Sequence, residues 1–393
     1  MKSKKRVAAI VTEYRLNSHA DVIVGKILEG FDHKGGGFPD LKVVTMYVDQ
    51  FPDNDMSRAL AKKHGFRLCR TIDEAVTLGG NKLVVDGVLL IGEHGKYPFN
   101  EKGQHLYPRR RFFEQTIAAF DRCRQVVPVF NDKHLSATWE DAHWMYQQAR
   151  RRMIPFLAGS SLPLTWRKPP LTLPRGCEIE AAVALGYGGL ESYGFHALET
   201  LQCMVERRKG FETGVRAVQF LAGPAIWQAM DRGEWSRELL EAGIALIPSK
   251  AKGDYRQAVA GNPGAGVFLI EYRDGLRAAV AMLNGYVYEG FSGAFAFACK
   301  LRGQAQPLAT HFYLENRRPF GHFAYLVKAI EAMIQTGHPP YPVERTLLTT
   351  GVLDAVMTSR FEKNRRIETP HLDVRYTPTD WPFAPEPAPA PHD

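Results

Sequence analysis

Two short and nearly unbroken apolar runs, Val85 to Ile91 and Val126 to Phe130, constrain the fold of this chain most. Runs of that length, apolar on both sides of the pleat, describe strands covered on both faces, as in a parallel sheet. Their surroundings agree. Arg6 to Val11 reads as a first strand and Leu41 to Val48 as a second, ending at Asp49. Between them Ser18 stands before an apolar stripe of Val22, Ile23, Ile27 and Leu28, with Asp21 three residues on, which is a helix start resembling a capping box. Further helices are expected from about Met56 to Gly65, over Ile72 to Leu78, Phe112 to Phe120 and Thr138 to Met153, with a last strand at Ile154 to Ala158. Strands alternating with helices give βαβ units and a Rossmann-like, doubly wound parallel sheet.

The pattern changes after Pro163. A link with Pro163, Pro169, Pro170 and Pro174 leads to a strand at Val183 to Leu185 and a helix from Gly194 to Arg208. Strands then dominate: Val215 to Leu221, Val267 to Tyr272, Leu276 to Leu283, Phe295 to Leu301 and Ala309 to Leu314. Asp274-Gly275 between two apolar runs signals a hairpin. Helices at Phe323 to Thr336 and Glu344 to Arg360 close the region. The overall expectation is an α/β chain whose second half is an α+β domain with an open, mostly antiparallel sheet. A length of 393 residues suits two domains. The boundaries read as 1–165, 166–380 and a Pro/Ala-rich, disordered tail at 381–393.

Charge and cysteines narrow the functional classes. The formal charge is +8 with a pI near 9.1, but the basic residues are dispersed. Arg150-Arg151-Arg152 closes a helix, where positive charge complements the macrodipole, and nucleic acid is not expected as a partner. Arg109-Arg110-Arg111 opens a helix and is either a solvated face or an attractor for an anion. Five scattered cysteines without a CxxC pair argue against a disulfide framework or a cysteine zinc site, and fit a reducing cytoplasm. The apolar run at Val7 to Val11 is too short for a signal peptide, and no stretch is apolar enough to span a bilayer.

Several local signatures stand in a specific order. His19-Ala20 opens the first helix, and Asn131-Asp132-Lys133-His134 follows a buried strand. Glu191, Gly194, His196 and Glu199 give the spacing acidic-x-x-Gly-x-His-x-x-acidic, and Phe323 to Pro340 precedes a helix from Glu344. From about Arg6 to Pro370 the chain resembles the glucose-fructose oxidoreductase / inositol dehydrogenase / MocA (Gfo/Idh/MocA) family. The resemblance implies a Rossmann domain followed by an open α/β domain. It also implies a homodimer or homotetramer formed through the C-terminal sheet. The implied reaction is hydride transfer between NAD(P) and a sugar or polyol. Residue by residue, it assigns catalytic roles to Lys133 and His196, with Glu191 beside them, and substrate contacts to His134, Arg167 and Glu199. Thr12, Glu13, Asp49, Glu93, His94 and Asp132 occupy the cofactor-side positions.

One departure stands out. A dinucleotide turn needs glycines for tightness, for approach of backbone to pyrophosphate and for helix packing. Aligned on His19-Ala20, those places hold Val11, Glu13 and Leu16. Glu13 adds a negative charge where a diphosphate would lie. The residues themselves leave a second reading open, a lyase, hydratase or hydrolase without redox turnover. Histidines and carboxylates at strand ends are also a ligand set for a divalent metal, although no HxxxH-type motif supports one. A third reading is a sugar sensor, against which the density of titratable groups argues.

Overall fold

The computed structural model describes residues 4–390 apart from 249, 290 and 291. The first half forms a six-stranded, all-parallel sheet from β1 (Lys5–Val11), β2 (Leu41–Val48), β3 (Arg67–Cys69), β4 (Gly87–Ile91), β5 (Val129–Asp132) and β6 (Phe156–Gly159). Its strand order is β3-β2-β1-β4-β5-β6. The order reverses between β1 and β4, which opens a crevice at the carboxyl ends of the central strands. The helices are α1 (His19–Glu29), α2 (Ser57–His64), α3 (Ile72–Thr77), α4 (Arg109–Cys123) and α5 (Trp139–Arg151). Ser18, Thr71 and Thr138 cap three of them, each accepting a backbone N–H from the residue three positions on. Along β1, Val7, Ala9 and Val11 enter one apolar cluster while Ala8 and Ile10 enter another. A strand whose alternate residues feed two cores is buried on both faces, as the apolar runs require.

The second half contains β7 (Trp166–Lys168), β8 (Ile179–Gly186), α6 (Ser192–Val205), β9 (Val215–Leu221), α7 (Pro224–Asp231), α8 (Arg237–Ala245) and α9 (Tyr255–Ala258). It continues with β10 (Gly266–Tyr272), β11 (Arg277–Met282), the two-residue strands β12 (Tyr288–Glu289) and β13 (Ser292–Gly293), β14 (Phe295–Leu301), β15 (Leu308–Tyr313), α10 (His322–Thr336), α11 (Glu344–Phe361) and β16 (Ile367–Glu368). Eight of the strands make one sheet in the order β16-β9-β10-β11-β8-β14-β15-β7, in which β8 and β11 alone run parallel. Gly275, at a φ of 93°, turns the hairpin between β10 and β11. Two long helices tie the halves together: α10 packs on α1, and α11 packs on α5, α6 and β9.

Two expectations change. Helices α7 and α8 occupy a stretch read as strand-dominated, and they cover a sheet face expected to be open. Gly186 of β8 lies against Ala197 of α6, whereas the neighbouring Leu185 lies against Gly243 of α8. Successive strand residues point to opposite faces, so α6 and α8 cover opposite sides of one strand. The face expected to join subunits is therefore covered at its centre by this chain's own insertion. The tail also differs from the disordered segment expected at 381–393. Ala384 is buried and its N–H donates to Leu164 O at 2.8 Å, and Trp166 Nε1 donates to Pro385 O at 2.9 Å. These contacts pin the described part of the tail to the interdomain link; residues 391–393 lie outside the described residues.

Candidate active site at the carboxyl edge of the parallel sheet

The ends of β4 and β5 set the site. A residue of left-handed backbone follows each strand: His94, three residues past β4, at a φ of 70°, and Lys133, directly after β5, at 62°. Side chains adopt that region only where surrounding structure enforces it, and such residues cluster at functional sites. At Lys133 the enforcement is visible. Its N–H donates to Gly159 O at 3.0 Å, pinning it to the end of β6. Gly159 itself has a φ of 122°, and a Cβ there would stand 2.6 Å from Glu199 Oε1, so only glycine fits.

The Lys133 ammonium is buried and donates to Glu93 Oε1 at 2.9 Å. The other oxygen of Glu93 accepts from Arg109 Nη2 at 2.5 Å. Burial raises a carboxyl pKa, but Lys133 and Arg109 outweigh it, and Glu93 is held well below the usual carboxylate range. Burial likewise opposes the charge on Lys133, while Glu93 and Asp132 overcome it and keep the ammonium protonated. The carboxylate is thus fixed as an anion and the lysine as a proton donor.

Imidazoles surround this pair. His196, in the second turn of α6, is buried with no partner on Nδ1. Burial first, and Lys133 second, push its pKa well below the ordinary value, so it is a neutral base. Burial also drives His94 and His322 down to about 3. His19 has a partner: its Nδ1 lies 2.6 Å from Oδ2 of the fully buried Asp132. That contact fixes the tautomer and leaves Nε2 for chemistry, the arrangement of a carboxylate-oriented general base. A cleft of about 750 Å³ collects these groups, lined among others by His19, Glu93, His94, Lys133, Glu191 and His196. Aromatic rings border it, including Tyr107, Tyr193, Phe295 and Phe323.

The expected residues separate into those at the cleft and those behind it. Lys133, His196, Glu191, Glu93 and His94 line it. His134 lies behind, accepting from Arg109 Nη1 at 3.0 Å through Nε2. Glu191 Oε1 lies buried 3.2 Å from that nitrogen, whose lone pair is turned to Arg109, so this oxygen has no donor. Glu199 was expected to touch substrate. It instead accepts Ser160 N–H at 2.8 Å beneath the cleft floor, and burial raises it from 4.5 to about 7. Arg167 is also displaced from the expected place. Its guanidinium donates to Leu171 O and Pro163 O and stacks on Phe383, outside the cleft. The link bearing it runs along the sheet edge as β7, so Arg167 points under the tail.

His19 and His322 are the gains. The sequence marks His19 only as part of a helix-opening pair, because its partner Asp132 is 113 residues away. His322 is buried at the start of α10 and lines the cleft. The metal expectation meets a different outcome. Among the described residues, no group of three or more His, Cys, Asp or Glu is placed to hold an ion. The carboxylates that converge are already engaged: Glu93 by two cations and Asp132 by His19.

The remaining cofactor-side residues do not make a dinucleotide cradle. Thr12 is buried and donates to Glu93 O at 2.6 Å, and Glu13 accepts from Arg15 Nε at 2.6 Å. Tyr14 fills the turn with a fully buried ring. Asp49 sits at the end of β2, where a ribose-binding acid belongs. Its oxygens accept from Tyr47 and Tyr97 hydroxyls and from Arg111 Nη2, at 2.6 to 2.7 Å.

No family model matches the sequence, and no curated protein does. Solved structures match over nearly the whole chain. GenD2 from gentamicin A biosynthesis, in complex with NAD, is 14% identical, with 94% of this chain and 97% of that chain covered and a TM-score of 0.58. A scyllo-inositol dehydrogenase from Lactobacillus casei with bound NAD(H) and scyllo-inositol is 12% identical, with 93% and 99% covered and a TM-score of 0.56. A probable dehydrogenase from Thermotoga maritima is 11% identical, with 93% and 99% covered and a TM-score of 0.59. The chain therefore has the two-domain fold of the Gfo/Idh/MocA oxidoreductases.

Proposed function

We propose that this chain is an enzyme that moves protons at a hydroxyl-bearing carbon of a carbohydrate-like small molecule bound in the cleft. The observation that carries this reading is the fixed pairing of an anionic Glu93 with a protonated Lys133, opposite a neutral His196 in one cleft. A proton donor and an unprotonated imidazole in one cleft are the two roles that acid–base catalysis requires. Rings such as Tyr193 and Phe295 offer flat apolar faces, while Glu191 offers a carboxylate for hydroxyls. Five unpaired cysteines suit a reducing compartment such as the cytoplasm.

The company of the fold supports an oxidoreductase. The named neighbours include an inositol dehydrogenase with its polyol and NAD(H) bound. On that reading Lys133, with His196 or His19, manages the proton of the hydroxyl being oxidised. A nicotinamide dinucleotide would supply the hydride acceptor, but the turn before α1 does not fit it.

The occupied turn favours a second reading, a non-redox lyase, hydratase or hydrolase. In an elimination, His196 takes a proton from carbon, the C–H electrons form the double bond, and the adjacent C–O bond breaks. Lys133 delivers a proton to the departing oxygen, which leaves as water or an alcohol.

The test is turnover of a panel of sugars, inositols and glycosides followed by proton NMR, with and without NAD(P)+. Lys133→Ala is expected to abolish turnover, a loss of about 100-fold or more for a positioned acid. A Lys133→Ala protein with full turnover and an unchanged melting temperature would sink the assignment. An oxidised product seen only with nucleotide supports the first reading; loss of water or alcohol without it supports the second.

A further inference from the structure

The amino end of α1 holds an anion of the chain's own. Helix starts attract phosphates because their N–H groups point outward unpaired. Around this start four backbone donors are engaged within the chain. Asn17 N–H donates to Asp21 Oδ2 at 2.9 Å, Ser18 N–H to Arg15 O at 3.0 Å, and both Arg15 and Asp21 N–H to Ser18 Oγ at 3.2 and 3.3 Å. Asp21 is thus a carboxylate set on the first turn, where a dinucleotide of this fold would place its pyrophosphate.

A strap from the second domain fastens that carboxylate. Residues 314–321 connect β15 to α10 and lie over the start of α1. Arg318 Nη1 donates to Asp21 Oδ2 at 2.7 Å, its other terminal nitrogen stands 3.1 Å from His33 Nδ1, and it also reaches Asn17 Oδ1 at 3.5 Å. Lys26, fully buried in α1, donates to Pro319 O at 2.6 Å and to Phe31 O at 2.8 Å. Phe323 packs edge-on against His19, with ring centroids 5.5 Å apart. The other two places a dinucleotide needs are filled as well, the turn by Tyr14 and the ribose acceptor Asp49 by three donors.

We infer that the chain has closed the dinucleotide cradle of its fold with its own residues, Asp21 standing in for the phosphate and the Arg318 strap for the contacts around it. The cleft then serves substrate alone. This deepens the non-redox reading of the same cleft, but it stands on residues remote from Lys133 and His196, so the two can fail separately.

The experiment is calorimetric titration of the intact protein with NAD+, NADH, NADP+ and NADPH, paired with hydrogen exchange over residues 12–22. No saturable binding is expected up to millimolar nucleotide, and no change of exchange on adding it. Arg318→Ala is expected to speed exchange in residues 12–22 by roughly tenfold or more, since the strap holds that turn closed. Saturable binding of any of the four nucleotides with Kd in the micromolar range would overturn closure. Unchanged exchange in Arg318→Ala would overturn the role given to the strap. Neither result touches the turnover test on Lys133.

Discussion

Lys133 and Glu93 show how burial becomes chemistry. Each ion alone would be driven toward neutrality by the apolar surroundings, and together they hold each other charged. Removing Glu93 takes the bonded carboxylate from both Lys133 and Arg109, and an uncompensated buried charge destabilises by about 3–5 kcal/mol. Glu199 is the opposite case, a carboxyl without a cation bonded to it, lifted to about 7 mainly by burial. Its folded pKa is raised above the unfolded value. The stability it contributes is therefore fully present below about 4.5 and is lost as pH rises through about 7. The loss is on the order of 3 kcal/mol. Glu199→Gln keeps an acceptor for Ser160 N–H without the ionisation. Urea denaturation across pH 4 to 8 is expected to show a fall in the wild type that flattens in the variant; equal slopes would place that ionisation elsewhere. Lys133 and His196 were legible in the sequence because they follow a buried strand and a spaced motif. His19 with Asp132 was not, because a pair 113 residues apart becomes a pair only when α1 and β5 meet at one sheet edge.

At the scale of elements, α1 carries most of the meaning. Ser18 is fully buried, and its hydroxyl accepts two N–H groups while Asp21 accepts a third. Loss of a helix cap of this kind destabilises by about 0.5–2 kcal/mol. Ser18→Ala is expected at the upper end of that range, because the orphaned donors are shut away from water. Thermal unfolding checks it, and a change within experimental error would mean the turn is held by Tyr14 and the strap alone. Ser18 as the start of this helix could be read directly, and so could the bounds of β2, β9 and β14, because cap chemistry and apolar period act within a few residues. Helices α7 and α8 could not. They are short, α7 opens on Pro224, and the apolar positions of α8 make sense only against the outer face of β8 and β14.

For the whole molecule, the cover that α8 lays over the second sheet bears on association. Central strands β8, β11 and β14 are buried on both faces within one chain, Leu185 under Gly243 on one side and Gly186 under Ala197 on the other. A sheet face already covered has little apolar area left to drive subunit pairing. The protein is expected to sediment as a monomer of 44.1 kDa. A stable dimer at micromolar concentration would require an interface other than the centre of this sheet. Leucines of α8 facing β14, rather than a second subunit, supply the covering layer.

The sequence by itself determined the alternation of strands and helices, the change of architecture after Pro163 and the absence of phosphate-binding glycines. These are properties of local pattern, written in apolar period, caps and turn residues. Tertiary structure alone decided which charges neutralise one another. Asp21 meets Arg318 across 297 positions, Lys102 meets Asp354 across 252, and Glu206 meets Arg345 across 139. Such partners are set by how α10 and α11 fold back over the first domain. It is that return, and not any motif, that separates the residues open to a substrate from those that hold the chain together.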